Sequence, residues 1–146
     1  MSGVTDPASP YFKDGQWGWD GTVWRKLPLV WGYYDRYAER VVDDTADAGT
    51  NWVSSTVVPA GSVYVVQALA AVDLTSAMTS ALLSAIDGTY GYNLAVAGAL
   101  AAGVPILWSG EVVLKQGDQI TATYRGCTLN DDLELMVWGY KMKIAE

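Results

Sequence analysis

The sequence predicts an all-β protein: an antiparallel jelly-roll sandwich of about eight strands, preceded by an N-terminal arm and a β-hairpin. Three observations predict it. Short runs rich in Val, Ile, Tyr and Trp recur along the chain, divided by Gly, Pro and Asp turn signals. Several alternate with period two, as where Leu133, Leu135 and Val137 interleave with Glu134, Met136 and Trp138. The 146 residues, 51% apolar, can bury the core of one ordinary domain without staples.

Residues 1–14 are polar, contain Pro7 and Pro10, and show no period, which reads as an arm. The run QWGWDGTVWRKL follows. Asp-Gly is a preferred pair for a two-residue hairpin turn, so Asp20 and Gly21 are expected at its centre. Trp19 would then face Thr22, and Trp17 would face Trp24. Pro28 punctuates, giving an arm and hairpin over 1–28 and a jelly roll over 29–146.

Within the second unit, strands are expected at 29–42, 51–58 and 62–74, with a loop at 43–49 and a turn at Pro59-Ala60-Gly61-Ser62. Residues 74–86 fit both a helix, through Met78, Ala81, Leu82 and Ala85, and a strand, through Met78, Ser80, Leu82, Ser84 and Ile86. The Ser/Thr content and the neighbouring strands favour strand. TYGYNLAVAG and VPILWSGEVVL supply two more strands. The turn Lys115-Gln116-Gly117-Asp118 then leads into QITATYRG, and residues 131–144 close the chain. The alanines at 95, 97, 99, 101 and 102 read as a thin strand face made for close packing.

Sixteen acids against nine bases give a net charge of −7, which disfavours nucleic acid and anionic membranes as partners. The stretch from Gly88 to Gly110 carries no charge, but its tyrosines, Pro105 and glycines dilute its hydrophobicity, so no membrane span is expected. The opening MSGVTDPASP lacks the basic and apolar regions of a secretory leader. The single Cys127 excludes an internal disulfide and reads as a small buried hydrophobe.

There is no histidine, which removes the commonest general base and the imidazole metal ligands. No phosphate-binding glycine loop occurs. Asp43, Asp44 and Asp47 could present oxygens to calcium, but without the spacing of a calcium loop they read as a solvated connection. Asp131, Asp132 and Glu134 could supply the acid and the nucleophile of a glycosidase, yet Asn-Asp-Asp before a strand is ordinary turn chemistry and Glu134 alternates outward on a strand. The chain is therefore expected not to be an enzyme, with no catalytic residue, no cofactor and no metal. What stands out is aromatic: Trp17, Trp19, Trp24 and Trp31 are four of seven tryptophans. They form the candidate partner-binding cluster, either as an interface or as a platform for sugar rings.

GWDGTVWRKL resembles a short aromatic hairpin that recurs in structural proteins of tailed bacteriophages. LVWGYYDRYAERVV resembles the opening strand of small phage jelly-roll domains, and VLKQGDQITATYRGCTLNDDLELMVWGYKM their closing strands. The resemblance implies a non-enzymatic virion protein made in the host cytoplasm. It would be a homotrimer that binds the major capsid protein or another virion protein, as a capsid decoration, head-fibre or tail-associated module. The capsid surface is favoured over the tail. The alternative it leaves open is a carbohydrate- or receptor-binding module that uses the tryptophan cluster on a glycan.

Overall fold

The computed structural model describes residues 17–19, 22, 24–26 and 29–145, and the side chains of Thr22 and of residues 35–144. Its strands in chain order are β1 (Trp17–Trp19), β2 (Trp24–Lys26), β3 (Leu29–Asp43), β4 (Gly49–Ser54) and β5 (Ser62–Asp73). After them come β6 (Ser80–Asp87), β7 (Tyr90–Ala97), β8 (Ile106–Leu114), β9 (Asp118–Cys127) and β10 (Leu133–Ala145). All pairings between strands are antiparallel. β1 and β2 form the hairpin, and the other eight strands make two four-stranded sheets. The first runs β3-β10-β5-β8 and the second β4-β9-β6-β7. The chain crosses repeatedly between the two sheets, which is the eight-stranded jelly roll the sequence predicts.

Alternation along the strands builds the core. Leu133, Leu135 and Val137 of β10 point inward and are buried, as are Ile120, Ala122 and Tyr124 of β9 and Ala81, Leu83 and Ala85 of β6. Tyr64, Val66, Leu69 and Ala71 of β5 complete the inner faces. Tyr124 ties the layers together, because its hydroxyl donates to the carbonyl of Glu134 in the opposite sheet. Burial pushes the Tyr124 phenol well above its ordinary range, so it stays a donor. At the β8–β9 turn, Gly117 takes a φ of 91°, a conformation that favours glycine, and Asp118 accepts the Lys115 amide at 2.9 Å.

Three expectations need correction. The hairpin pairs Trp19 with Trp24 and Trp17 with Lys26, so four residues connect its strands instead of two. Four-residue loops are a common alternative to the two-residue turn that an Asp-Gly pair favours. Asp20 and Gly21 themselves lie outside the described residues. Residues 74–79 are a loop, and only the second half of the ambiguous segment is strand. The Asp73 carboxylate accepts the amides of Thr75 and Ser76 at 2.9 and 3.0 Å, diverting them from any ladder. Met78 is held by a single bridge to Leu100. The alanine face is also divided. Ala95 and Ala97 pack on the core from β7, while Ala99, Ala101 and Ala102 are exposed in the following loop.

Candidate functional site

The register of the first sheet places small and large side chains side by side on its outer face. One row across the strands reads Ala38, Trp138, Ala68, Ser109, and the next reads Arg40, Met136, Ala70, Leu107. Facing positions in an antiparallel sheet share a side. The alanines of β5 therefore form a floor between a ridge of Trp138 and Met136 on β10 and a wall of Leu107 on β8. The result is an open groove of about 730 Å³ lined almost wholly by apolar side chains. Trp138 is 49% exposed and Leu107 67%, so large hydrophobic surface stands in water around the alanine floor. Val42 and Val113 extend the apolar area towards the two edges of the face.

Charge is confined to the margins. On β3, Arg36 lies over the Trp138 ring with its guanidinium carbon 5.5 Å from the ring centroid. Arg40 makes a two-point contact with Glu134, whose outward-facing side chain is nearly covered by it. That contact explains why Glu134 is buried although its parity puts it on the outer face. Glu39 turns the other way, accepting the Tyr37 hydroxyl at 2.8 Å and the amide and hydroxyl of Thr56 at 2.9 Å. Burial first and then the Glu39 carboxylate raise the Tyr37 phenol above its usual range, which keeps it protonated as the donor. On the far edge, β8 presents Glu111 to solvent.

The second sheet offers a different outer face. Trp52, Thr123, Leu82 and Val96 form one row, and Ser54, Thr121, Ser84 and Asn93 the next. Ser54 and Thr121 share a hydrogen bond of 2.8 Å, and Ser84 donates to Asn93 at 3.3 Å. Trp52 is 65% exposed at the margin of this hydroxyl-rich surface.

Of the predicted partner-binding residues, Trp17 lies in β1, Trp19 at the end of the same strand, Trp24 in β2 and Trp31 in β3. Their side chains fall outside the described residues. Two of the aromatic residues that the structure does place at the surface, Trp138 and Trp52, were not singled out from sequence. Their signal was present in the outward parity of Trp138 and in Trp52 standing between Asn51 and Val53. Asp43 accepts the amide and hydroxyl of Thr45, the arrangement of a loop stabilised by its own side chain. Asp131 is buried at one end of the sandwich, away from the groove, and Glu134 is engaged by Arg40.

No family model matches this chain, and no curated protein matches it. Among solved structures it is similar to a chain in the structure of infectious bursal disease virus Gt strain, with 15% identity and a TM-score of 0.34. That match covers 88% of this chain and 37% of the other. A chain in the structure of the Gx strain matches at 14% identity and a TM-score of 0.32, over 88% of this chain and 35% of that one. The chain thus spans little more than a third of the length of the viral chains it matches.

Proposed function

We propose that the chain is a non-enzymatic virion structural protein, a homotrimeric decoration module of the tailed-bacteriophage jelly-roll type. The observation that carries this reading is the apolar outer face of the β3-β10-β5-β8 sheet, with its groove over Ala68 and Ala70. A contiguous apolar patch rimmed by charge marks a surface that works by being covered. The residues along it, Trp138, Met136 and Leu107 with arginine at the edge, have the composition of an interface core. The charges support a cyclic arrangement. Arg36 occupies the β3 edge of the face and Glu111 the β8 edge, so a head-to-tail contact between copies brings unlike charges together. The phage assignment rests on the hairpin and on the opening and closing strands quoted above.

In this reading the jelly roll forms the trimer and residues 1–28 attach it to the shell. Deleting residues 1–28 is expected to leave a folded trimer that no longer binds particles in a co-sedimentation assay. Normal decoration by the truncated chain would refute the attachment role.

One observation favours a second reading, a glycan-binding module. The exposed Trp52 beside the Ser54–Thr121 and Ser84–Asn93 rows combines a flat apolar surface with hydroxyl and amide groups. Sugar binding there would change tryptophan fluorescence, and the change would disappear in Trp52→Ala. The assembly reading expects no response to free sugars.

A further inference from the structure

We propose that Asp73, Cys127 and Asp131 form a binding site for one divalent cation of the Zn²⁺ class, at the end of the sandwich where β5 and β9 finish. One ligand atom from each of these residues lies within 4.8 Å of the others. All three residues are buried, at 0%, 6% and 1% exposure. A carboxylate beside another carboxylate, both removed from water, is costly unless a positive charge compensates them. Among the described residues neither aspartate forms an ion pair with a lysine or arginine.

A second observation points to a ligand. The Oδ2 atom of Asp73 is buried and has no hydrogen-bond partner, although Oδ1 is fully engaged by the amides of Thr75 and Ser76. Buried polar atoms in native structures are almost always satisfied, so this unpartnered oxygen on a residue of the cluster points to a bound cation.

The surroundings fix the donors. Asp131 accepts the Ser76 hydroxyl at 2.6 Å and the Thr128 amide at 2.6 Å. The two connections are joined by Leu74 N to Asp132 O at 2.9 Å and Asp132 N to the Thr75 hydroxyl at 3.1 Å. Burial raises the Asp73 carboxyl above the usual carboxylate range against the pull of its amide donors, and Asp131 adds to the rise. Burial also acts to raise Asp131, but the Ser76 and Thr128 donors and Asp73 outweigh it and hold it below that range. Burial likewise raises the Cys127 thiol, partly offset by Asn51. A cation bound there takes a donor atom from each of the three residues, and any proton those donors carry passes to solvent. One sulfur and two carboxylate oxygens suit Zn²⁺, which accepts mixed S/O ligands, better than Ca²⁺ or Mg²⁺, which take oxygen alone. Bound there, the ion ties the β5–β6 connection to the β9–β10 connection and adds its binding energy to the fold.

The test uses the full chain, stripped with chelator and then titrated with Zn²⁺ or Co²⁺. Native mass spectrometry is expected to show one Zn²⁺ retained per chain, with a higher melting temperature. Co²⁺ is expected to give a near-ultraviolet sulfur-to-metal charge-transfer band, which only a thiolate ligand produces. Cys127→Ser should abolish the band and weaken Zn²⁺ binding by more than about tenfold, since even loss of an outer partner of a metal ligand costs that much. Asp131→Asn should weaken binding comparably. If the variants do not fold, the Co²⁺ spectrum of the unaltered chain decides. No retained Zn²⁺, or bound metal without the thiolate band, overturns the proposal and leaves a carboxyl pair sharing a proton.

Discussion

Replacing Gly139 with alanine is expected to destabilise the fold by about 3 kcal/mol or more, the upper range for overpacking a core. Gly139 lies in β10, the strand that joins β3 to β5, opposite Tyr37 on one side and Val66 on the other. The register of β10 against β5 shifts between Trp138 and Gly139, with Gln67 left over as a bulge. At this bulge the β5 backbone presses against β10. A Cβ at Gly139 would stand 1.9 Å from the Val65 carbonyl oxygen, 2.9 Å from its carbon and 3.0 Å from the Val66 Cα. Those are backbone atoms of a strand paired on both sides, flanked by the buried Tyr64 and Val66, so no side chain can swing away to relieve the clash. For a domain whose total stability is on the order of 5–15 kcal/mol, such a loss threatens folding itself. Urea denaturation of the two proteins measures it. A difference under about 1 kcal/mol would mean that the two strands can separate locally at the bulge, contrary to the packing described here.

The second large effect concerns association. Ala70 occupies the groove floor between Met136 and Leu107. Arginine at this position fills the groove with a long cationic side chain that can still reach water in the free protein. Folding should therefore change little, while any partner surface meets an unpaired charge in what should be an apolar contact. The expected result is a folded monomer in place of a trimer, with an unchanged circular dichroism spectrum and a melting curve close to that of the unaltered protein.

The strands that carry strict alternation were legible from sequence. Leu133, Leu135 and Val137 are buried as their spacing predicts, and the strands at 29–42, 62–74 and 104–114 match the observed ones to within two residues. Cys127 is buried, as its lack of a partner suggested. Local competition caused the misses. A carboxylate at Asp73 took two amides from what could have been strand, and the hairpin register depended on pairing that an Asp-Gly preference alone does not fix. The groove was not legible, because Ala38, Ala68 and Ala70 come from strands far apart in sequence and meet only through the order β3-β10-β5. The same holds for Asp73, Cys127 and Asp131. Asp131 and Asp132 read as turn residues on sequence grounds, and nothing local shows that the turn closes over Asp73, more than fifty residues earlier.

The proposed role requires assembly through the outer face of the β3-β10-β5-β8 sheet. Sedimentation equilibrium of the full chain and of Ala70→Arg, across a range of concentrations, reads that assembly out. A trimer is expected for the first and a folded monomer for the second. A full-length chain that remains monomeric throughout, or a variant that associates as strongly as the original, would contradict it.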